Sequence, residues 1–154
     1  MPKNRVQSNI YTPINNDEIE ALYILQKESL ILNNIRIWNK NDIESLMQKD
    51  NVSAYILQNN NINASYIIFS DLAHECEILS LGTIEKMRGN GFASELLEYF
   101  IDKNIENSEK EIFLEVEENN DKAIDLYKKF SFEKVGVRKK YYSNNLNALI
   151  MKRS

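Results

Sequence analysis

The chain has 154 residues, 43% of them hydrophobic and 27% charged, with a net charge of −4. That length and apolar content suit one compact domain over 1–154, and no linker or internal repeat divides it. The acidic balance argues against nucleic-acid binding, no apolar run reaches bilayer length, and MPKNRVQSNIYTP lacks the apolar stretch of a secretion signal.

The lone Cys76 can make no internal disulfide, and no Cys/His grouping has metal-ligand spacing. The expectation is a cytoplasmic protein without metal and away from membranes, a monomer or weak dimer.

Asn15 or Asn16 can cap a first helix that carries Ile19, Leu22 and Tyr23 at helical spacing and ends near Ser29 or Leu30. After Trp38, Asn41 and Glu44 stand in capping-box spacing in a short second helix with Ile43, Leu46 and Met47 on one face. SAYILQ and INASYIIFS read as strands parted by Asn59-Asn60-Asn61, where asparagine's tolerance of left-handed backbone suits a hairpin. A polar turn containing His74 leads to a third strand, Glu77 to Ile84, completing an antiparallel meander. Ala93, Leu96, Leu97, Phe100 and Ile101 then mark an amphipathic helix.

EIFLEV is a short, mostly apolar strand of the kind buried on both faces of a sheet. Asn120 caps a helix from Asp121 to Phe130, with Ala123, Leu126, Tyr127 and Phe130 inward and Lys128 and Lys129 at its negative end. Two strands, Glu133 to Tyr142 and Ala148 to Lys152, close the chain. The order α-α-β-β-β-α-β-α-β-β describes an α+β fold, a mixed and mostly antiparallel sheet flanked by helices on both faces.

Of the four glycines in the chain, two fall in Arg88-Gly89-Asn90-Gly91-Phe92-Ala93, at the mouth of an amphipathic helix. The first turn of a helix offers unpartnered N–H groups and the positive end of the macrodipole, and an anion settles there when no side chain blocks it. Gly89 and Gly91 lack Cβ atoms, Ala93 adds only a methyl, and Arg88 supplies a cation. The segment has neither the Gly-Lys-Ser/Thr of a Walker loop nor the spacing of a dinucleotide fingerprint. A tight strand-to-helix turn and a phosphate cradle both account for it.

The pattern Arg-x-x-Gly-x-Gly/Ala between the third meander strand and a helix resembles the GCN5-related N-acetyltransferases, whose fold has the element order read above. The resemblance implies acetyl-CoA as co-substrate. Its pyrophosphate would lie on the loop formed by Arg88, Gly89, Asn90, Gly91, Phe92, Ala93 and Ser94, with Leu81, Gly82 and Thr83 facing the pantetheine and acetyl group.

The segment FLEVEENNDKAIDLYKKFSFEKVGVRKKYY, followed by ALIM, is similar to the branch of that family acting on the N-terminal alanine of a small-subunit ribosomal protein. The shared frame is Leu-Glu-Val, Asn, Ala-Ile-x-Leu-Tyr, x-Phe and Arg-x-x-Tyr-Tyr, within a similarity spanning Glu77 to Met151. It implies Glu115 as general base, Tyr127 as general acid and Asn120 as a cofactor contact. The chain departs from the family at Ser131, where glycine is usual, and at Thr83, where valine is usual; Ile37-Trp38-Asn39 matches the substrate-side loop only loosely.

The chemistry agrees with those roles. An N-terminal amine titrates near pH 8, within reach of a modest base, and a phenol with pKa near 10 can protonate a departing thiolate. Desolvation in an apolar strand can raise the pKa of Glu115. A backbone N–H near Gly82, where glycine permits a bulge, can hydrogen-bond a developing oxyanion.

Blander readings stand beside these. Glu115 also opens a solvated acidic strand end with Glu117 and Glu118, Tyr127 also suits a buried structural tyrosine, and Asn120 need only be a cap. Trp38 lines a peptide site or joins the core, and at most one of Tyr141 and Tyr142 faces a substrate channel. His74 reads as a solvated turn residue and Cys76 as a small apolar filler.

The expected activity is acetyl transfer from acetyl-CoA to a primary amine in a ternary complex, foremost a protein N-terminus such as a ribosomal alanine. The alternatives are a small-molecule amine (polyamine, aminoglycoside or amino acid), a non-catalytic acyl-CoA-binding module, or a different anion such as a nucleotide.

Overall fold

The computed structural model describes residues 8–30, 38–105, 109–139 and 145–154. Its strands are β1 (Asn9–Tyr11), β2 (Val52–Asn59), β3 (Ile62–Asp71), β4 (Glu75–Thr83), β5 (Glu111–Glu117), β6 (Glu133–Arg138) and β7 (Ala148–Arg153). Its helices are α1 (Asn16–Leu30), α2 (Lys40–Met47), α3 (Phe92–Asn104) and α4 (Asp121–Lys129), with a 3-10 turn at Glu85–Met87. The strands join in one sheet of order β1-β2-β3-β4-β5-β7-β6, in which β4 and β5 run parallel and the other pairs antiparallel.

The expected α+β architecture is present, with one strand ahead of the expected order. Asn9, Ile10 and Tyr11 pair with Gln58, Leu57 and Ile56 at the sheet edge. Three residues carry too little periodicity to announce a strand. Helix α1 starts as expected on Asn15, whose Oδ1 accepts the Glu18 N–H at 2.9 Å. The box of α2 lies two residues earlier than the Asn41/Glu44 pair. Asn39 Oδ1 accepts the Asp42 N–H at 2.8 Å, and Asp42 accepts the Asn39 N–H at 3.1 Å. Buried Gln26 selects that register by bracketing Trp38: its Oε1 accepts the Trp38 N–H at 2.8 Å and its Nε2 donates to the Trp38 carbonyl at 3.2 Å.

The β2–β3 hairpin turns through Asn60 and Asn61, both left-handed at φ 53° and 61°, with Asn59 paired to Ile62. Two positive φ angles in a two-residue loop define a type I′ turn, which matches strand twist. Helix α4 ends on a complete Schellman motif. Ser131 adopts φ 69°, the Phe132 N–H donates to the Tyr127 carbonyl at 3.1 Å, and the Ser131 N–H donates to the Lys128 carbonyl at 3.0 Å. The rings of Tyr127 and Phe132 meet at 5.6 Å, the apolar contact such a motif favours.

Two apolar layers sandwich the sheet. On one face α1 and α2 bury Leu22, Leu25 and Ile43 against Ala54, Ile56, Tyr66 and Ile68. On the other, Leu96, Leu97, Phe100, Ile124 and Tyr127 of α3 and α4 pack on Ile67, Ile78, Ile112, Leu114 and Met151. Strand β5 is buried on one face only, contrary to expectation: Ile112, Leu114 and Val116 are buried while Phe113, Glu115 and Glu117 are half-exposed. The layer of α1 and α2 packs on β2–β4 and leaves that side of β5 open.

Candidate active site

The parallel pair of β4 and β5 is short. It runs from Glu75 opposite Glu111 to Ile78 opposite Leu114 and then stops, although both strands continue. On its other edge β4 remains zipped to β3 as far as Thr83 opposite Ser65. The strands therefore splay beyond Ile78 and Leu114. The cause lies in a bulge: Ile68 faces Ser80 while Phe69 faces Ile78, so Leu79 is the extra residue. The bulge expected at Gly82 sits three residues earlier.

Gly82 serves another purpose. A Cβ there would come within 2.8 Å of Tyr66 Cε1 and 2.9 Å of Ser29 Cβ. Glycine lets the last turn of α1 lie directly on the end of β4. Strand alternation also moves the free donor expected near Gly82. The Ile84 N–H and the Gly82 carbonyl face β3, donating to Ala64 and accepting from Ser65 Oγ at 3.0 and 2.7 Å. The amide of Leu81 consequently faces the splay.

Glu115 follows the last paired residue, Leu114, on the side of the sheet that carries α1. Arg138 of β6 reaches across β7 to it, Nη2 to Oε1 at 2.9 Å, with Glu115 21% and Arg138 55% exposed. Glu77 of β4 belongs to the same row. Partial burial, with Glu115 and Glu75 nearby, holds its carboxyl above the usual carboxylate range, and Arg138 opposes that shift. Glu118, read with Glu115 and Glu117 as a solvated acidic strand end, accepts hydrogen bonds from the Asn147 N–H at 3.0 Å and from Asn147 Nδ2 at 3.2 Å, tying the start of β7.

Tyr127 is buried on the opposite face, against Phe132 and the α3 layer. Base and acid candidates thus lie on opposite sides of the sheet, and the splay is where those sides communicate. Leu81 packs toward the α3 layer, while Thr83 Oγ1 hydrogen-bonds Ser65 Oγ at 3.0 Å.

The head of the splay is the Arg88–Ser94 loop. Gly89 and Gly91 both adopt φ 79°, and a Cβ on Gly89 would meet nothing within 4 Å, so left-handed backbone is what requires glycine there. Gly91 caps α3 with no side-chain hydrogen bond, leaving the first-turn amides of Phe92, Ala93 and Ser94 for an anion. The Phe92 side chain is buried in the core, so its contribution there is its amide. Asn90 Nδ2 donates to the Met87 carbonyl at 2.9 Å. Arg88 turns away from the loop mouth: Nε donates to the Thr83 carbonyl at 3.1 Å and Nη2 to the Ser29 carbonyl at 2.6 Å. Asn120 caps α4 as expected, accepting the Ala123 N–H at 3.2 Å.

Trp38 packs partly buried on the α1–α2 layer, and His74 is exposed in its turn. Buried Cys76 donates to Asp71 at 3.2 Å, and burial with that carboxylate pushes its thiol up to about 12. Tyr141 and Tyr142 lie outside the described residues. Among the described residues no group of His, Cys, Asp or Glu could hold a metal, and no helix is long and apolar enough to cross a membrane.

The roles of Arg138, Glu77 and Gln26 escaped the sequence reading. Period-two alternation places Glu115 on the open face, yet its partner Arg138 becomes visible only once β6 is known to lie outside β7.

A mixed sheet split between two parallel strands, each followed by a helix on the same face, forms a crevice at the strands' carboxyl ends, where open α/β sheets hold ligands. With bare helix amides at its head, that crevice suits an extended ligand carrying an anionic group. The chain belongs to the acetyltransferase (GNAT) family, whose model matches residues 17–132.

An N-alpha-acetyltransferase of Saccharolobus solfataricus is 40% identical over 84 residues, covering 53% of this chain and 50% of that protein. The matched stretch thus spans about half the length of that relative. Among solved structures, the ribosomal-protein-S18-alanine N-acetyltransferase of Escherichia coli superposes with a TM-score of 0.83 at 21% identity, covering 95% of this chain and 92% of that one. Arabidopsis thaliana Naa50 in complex with the bisubstrate analogue CoA-Ac-MVNAL gives 0.80 at 24% identity, covering 97% and 99%. At these identities the two structures speak for the fold.

Proposed function

We propose that this protein transfers the acetyl group of acetyl-CoA to the α-amine of a polypeptide, foremost a ribosomal-type N-terminal alanine. The observation that carries the reading is the splay itself, which opens directly beside Glu115 and ends under the bare amides of α3. The similarity to N-alpha-acetyltransferases favours a protein N-terminus over a polyamine, aminoglycoside or amino acid.

The residues present fit the co-substrate. Two left-handed glycines and an uncapped helix start suit a diphosphate, and the edge of β4 beyond Ile78 has no β5 ladder partner, so it can pair with an extended amide-bearing arm. Acetyl-CoA supplies an activated acyl carbon and a thiolate leaving group. Glu115, held by Arg138, receives the proton of the attacking amine directly or through water. As the C–N bond forms and the C–S bond breaks, the Leu81 N–H hydrogen-bonds the developing oxyanion and Tyr127 donates its phenolic proton to the departing sulfur. The products are the acetylated amine and the free thiol, with no acyl-enzyme.

The test is a panel of N-terminal peptides and small amines incubated with acetyl-CoA, read by mass and thiol release. Glu115→Gln and Tyr127→Phe should each lower kcat by about 100-fold or more with CoA affinity unchanged. Binding of CoA without turnover on any amine would favour a non-catalytic module, and absence of CoA binding by calorimetry would remove the reading.

A further inference from the structure

We infer that Arg88, although it stands in the cofactor signature, works for the acceptor side as a positioning residue that clamps the end of α1 across the mouth of the splay. The inference rests on the proposed acyl transfer for its kinetic meaning and on geometry for the clamp. The guanidinium donates to two main-chain carbonyls, that of Thr83 at the end of β4 and that of Ser29 in the last turn of α1.

Each of those carbonyls needs a partner. Ser29 lies among the last four carbonyls of α1, which have no intrahelical donor, and a cation there meets the negative end of the helix. The Thr83 carbonyl, next after the Gly82 carbonyl that faces Ser65, turns toward the unpaired edge of β4. One planar, fixed-charge group joins the two, which a lysine ammonium cannot do with the same geometry.

What the clamp holds matters for the acceptor. The end of α1 rests on Gly82, with Ser29 Cβ inside the space a Gly82 side chain would need. Glu115 opens onto the same face of the sheet as α1. An amine approaching Glu115 from that face passes between the last turn of α1 and the Glu115–Arg138 pair. Gln26, one turn before Ser29, brackets the Trp38 backbone, so the same segment also fixes where the chain re-enters before α2. The amides that serve the diphosphate belong instead to α3, beyond Gly91.

The test compares Arg88→Gln and Arg88→Lys with the wild-type full chain by three readouts. Hydrogen exchange of the cofactor-free protein should show the last turn of α1 opening about tenfold faster in both variants, as loss of a charge-assisted hydrogen bond implies, with the first turn of α3 unchanged. Calorimetry should give CoA affinities within about twofold of wild type for both variants, and peptide kinetics should show KM for the acceptor raised more than KM for acetyl-CoA. A CoA affinity reduced tenfold in Arg88→Gln and restored in Arg88→Lys, with exchange of α1 unmoved, would overturn the inference by making the cation a diphosphate ligand. Failure of the proposed chemistry is separately visible as wild-type protein that does not bind or turn over acetyl-CoA, because the exchange experiment needs no cofactor.

Discussion

Replacing Gly82 with alanine tests whether close packing of α1 on β4 builds the acceptor face. The new methyl would stand 2.8 Å from Tyr66 Cε1, 2.9 Å from Ser29 Cβ and 3.2 Å from Tyr66 Oη. Tyr66 cannot yield easily: it has no exposed surface, and its hydroxyl is tied to Ser80 Oγ at 2.7 Å. The helix must move instead, lengthening the Arg88–Ser29 bond that now measures 2.6 Å. Overpacking of one methyl in a tight core costs about 2 kcal/mol, and a chain of this size loses about 2–4 °C of Tm per kcal/mol. The expected fall is about 4–8 °C, measured by thermal denaturation followed by circular dichroism. Acceptor KM should rise while CoA affinity stays within about twofold, since the amides of α3 are untouched. A Gly82→Ala protein with wild-type Tm would refute the packing argument. One that lost CoA affinity but kept acceptor KM would show that the packing serves the other substrate.

Ser131→Gly should stabilise the protein. Serine at φ 69° carries a left-handed backbone cost of about 1 kcal/mol, which glycine relieves at some expense in unfolded-state entropy. The net is a Tm rise of about 1–3 °C in differential scanning calorimetry, and a fall would mean the hydroxyl contributes more than the angle costs. Glu77→Gln tests the shared field of the acidic row. Because folding raises this carboxyl's pKa, the native state holds the proton more tightly and ionisation above that pKa costs stability. The variant should therefore be the more stable protein at neutral pH. Its advantage should vanish as pH falls through the raised carboxylate range, a pattern read from Tm against pH in both proteins. Exposure of Glu77 keeps the effect small.

What was legible in the sequence was local. Asn60 and Asn61, the Asn15 cap and the Asn120 cap each follow from the conformational freedom or hydrogen-bonding reach of one residue type, and each stands where expected. Capping-box spacing alone could not choose between Asn41/Glu44 and Asn39/Asp42, because the chooser is Gln26, a buried side chain of another helix. In the site, the bare amides behind Gly91 were readable from two glycines before a helix. The direction of Arg88 was not, since its partners are carbonyls at Thr83 and Ser29, the latter on a different element. The Glu115–Arg138 pair depends on β6 lying two strands from β5, a matter of topology that no short window contains.

The bulge and the clamp together set the length of the open edge. Below, Ile78 closes the gap by pairing with Leu114; above, Arg88 takes the Thr83 carbonyl. The distance between those stops is five residues of strand, about 16 Å at the usual rise. A sheet interior with a longer unpaired edge would invite another strand, and one much shorter could not seat an extended arm carrying amides. Under the proposed function, with the diphosphate on the α3 amides, such an arm would run down the edge toward the last paired residues and its terminus would arrive beside Glu115, the first residue past Leu114. On that proposal the place of the reacting carbon would follow from where two strands stop pairing, a point set by one extra residue, Leu79, in the ladder with β3.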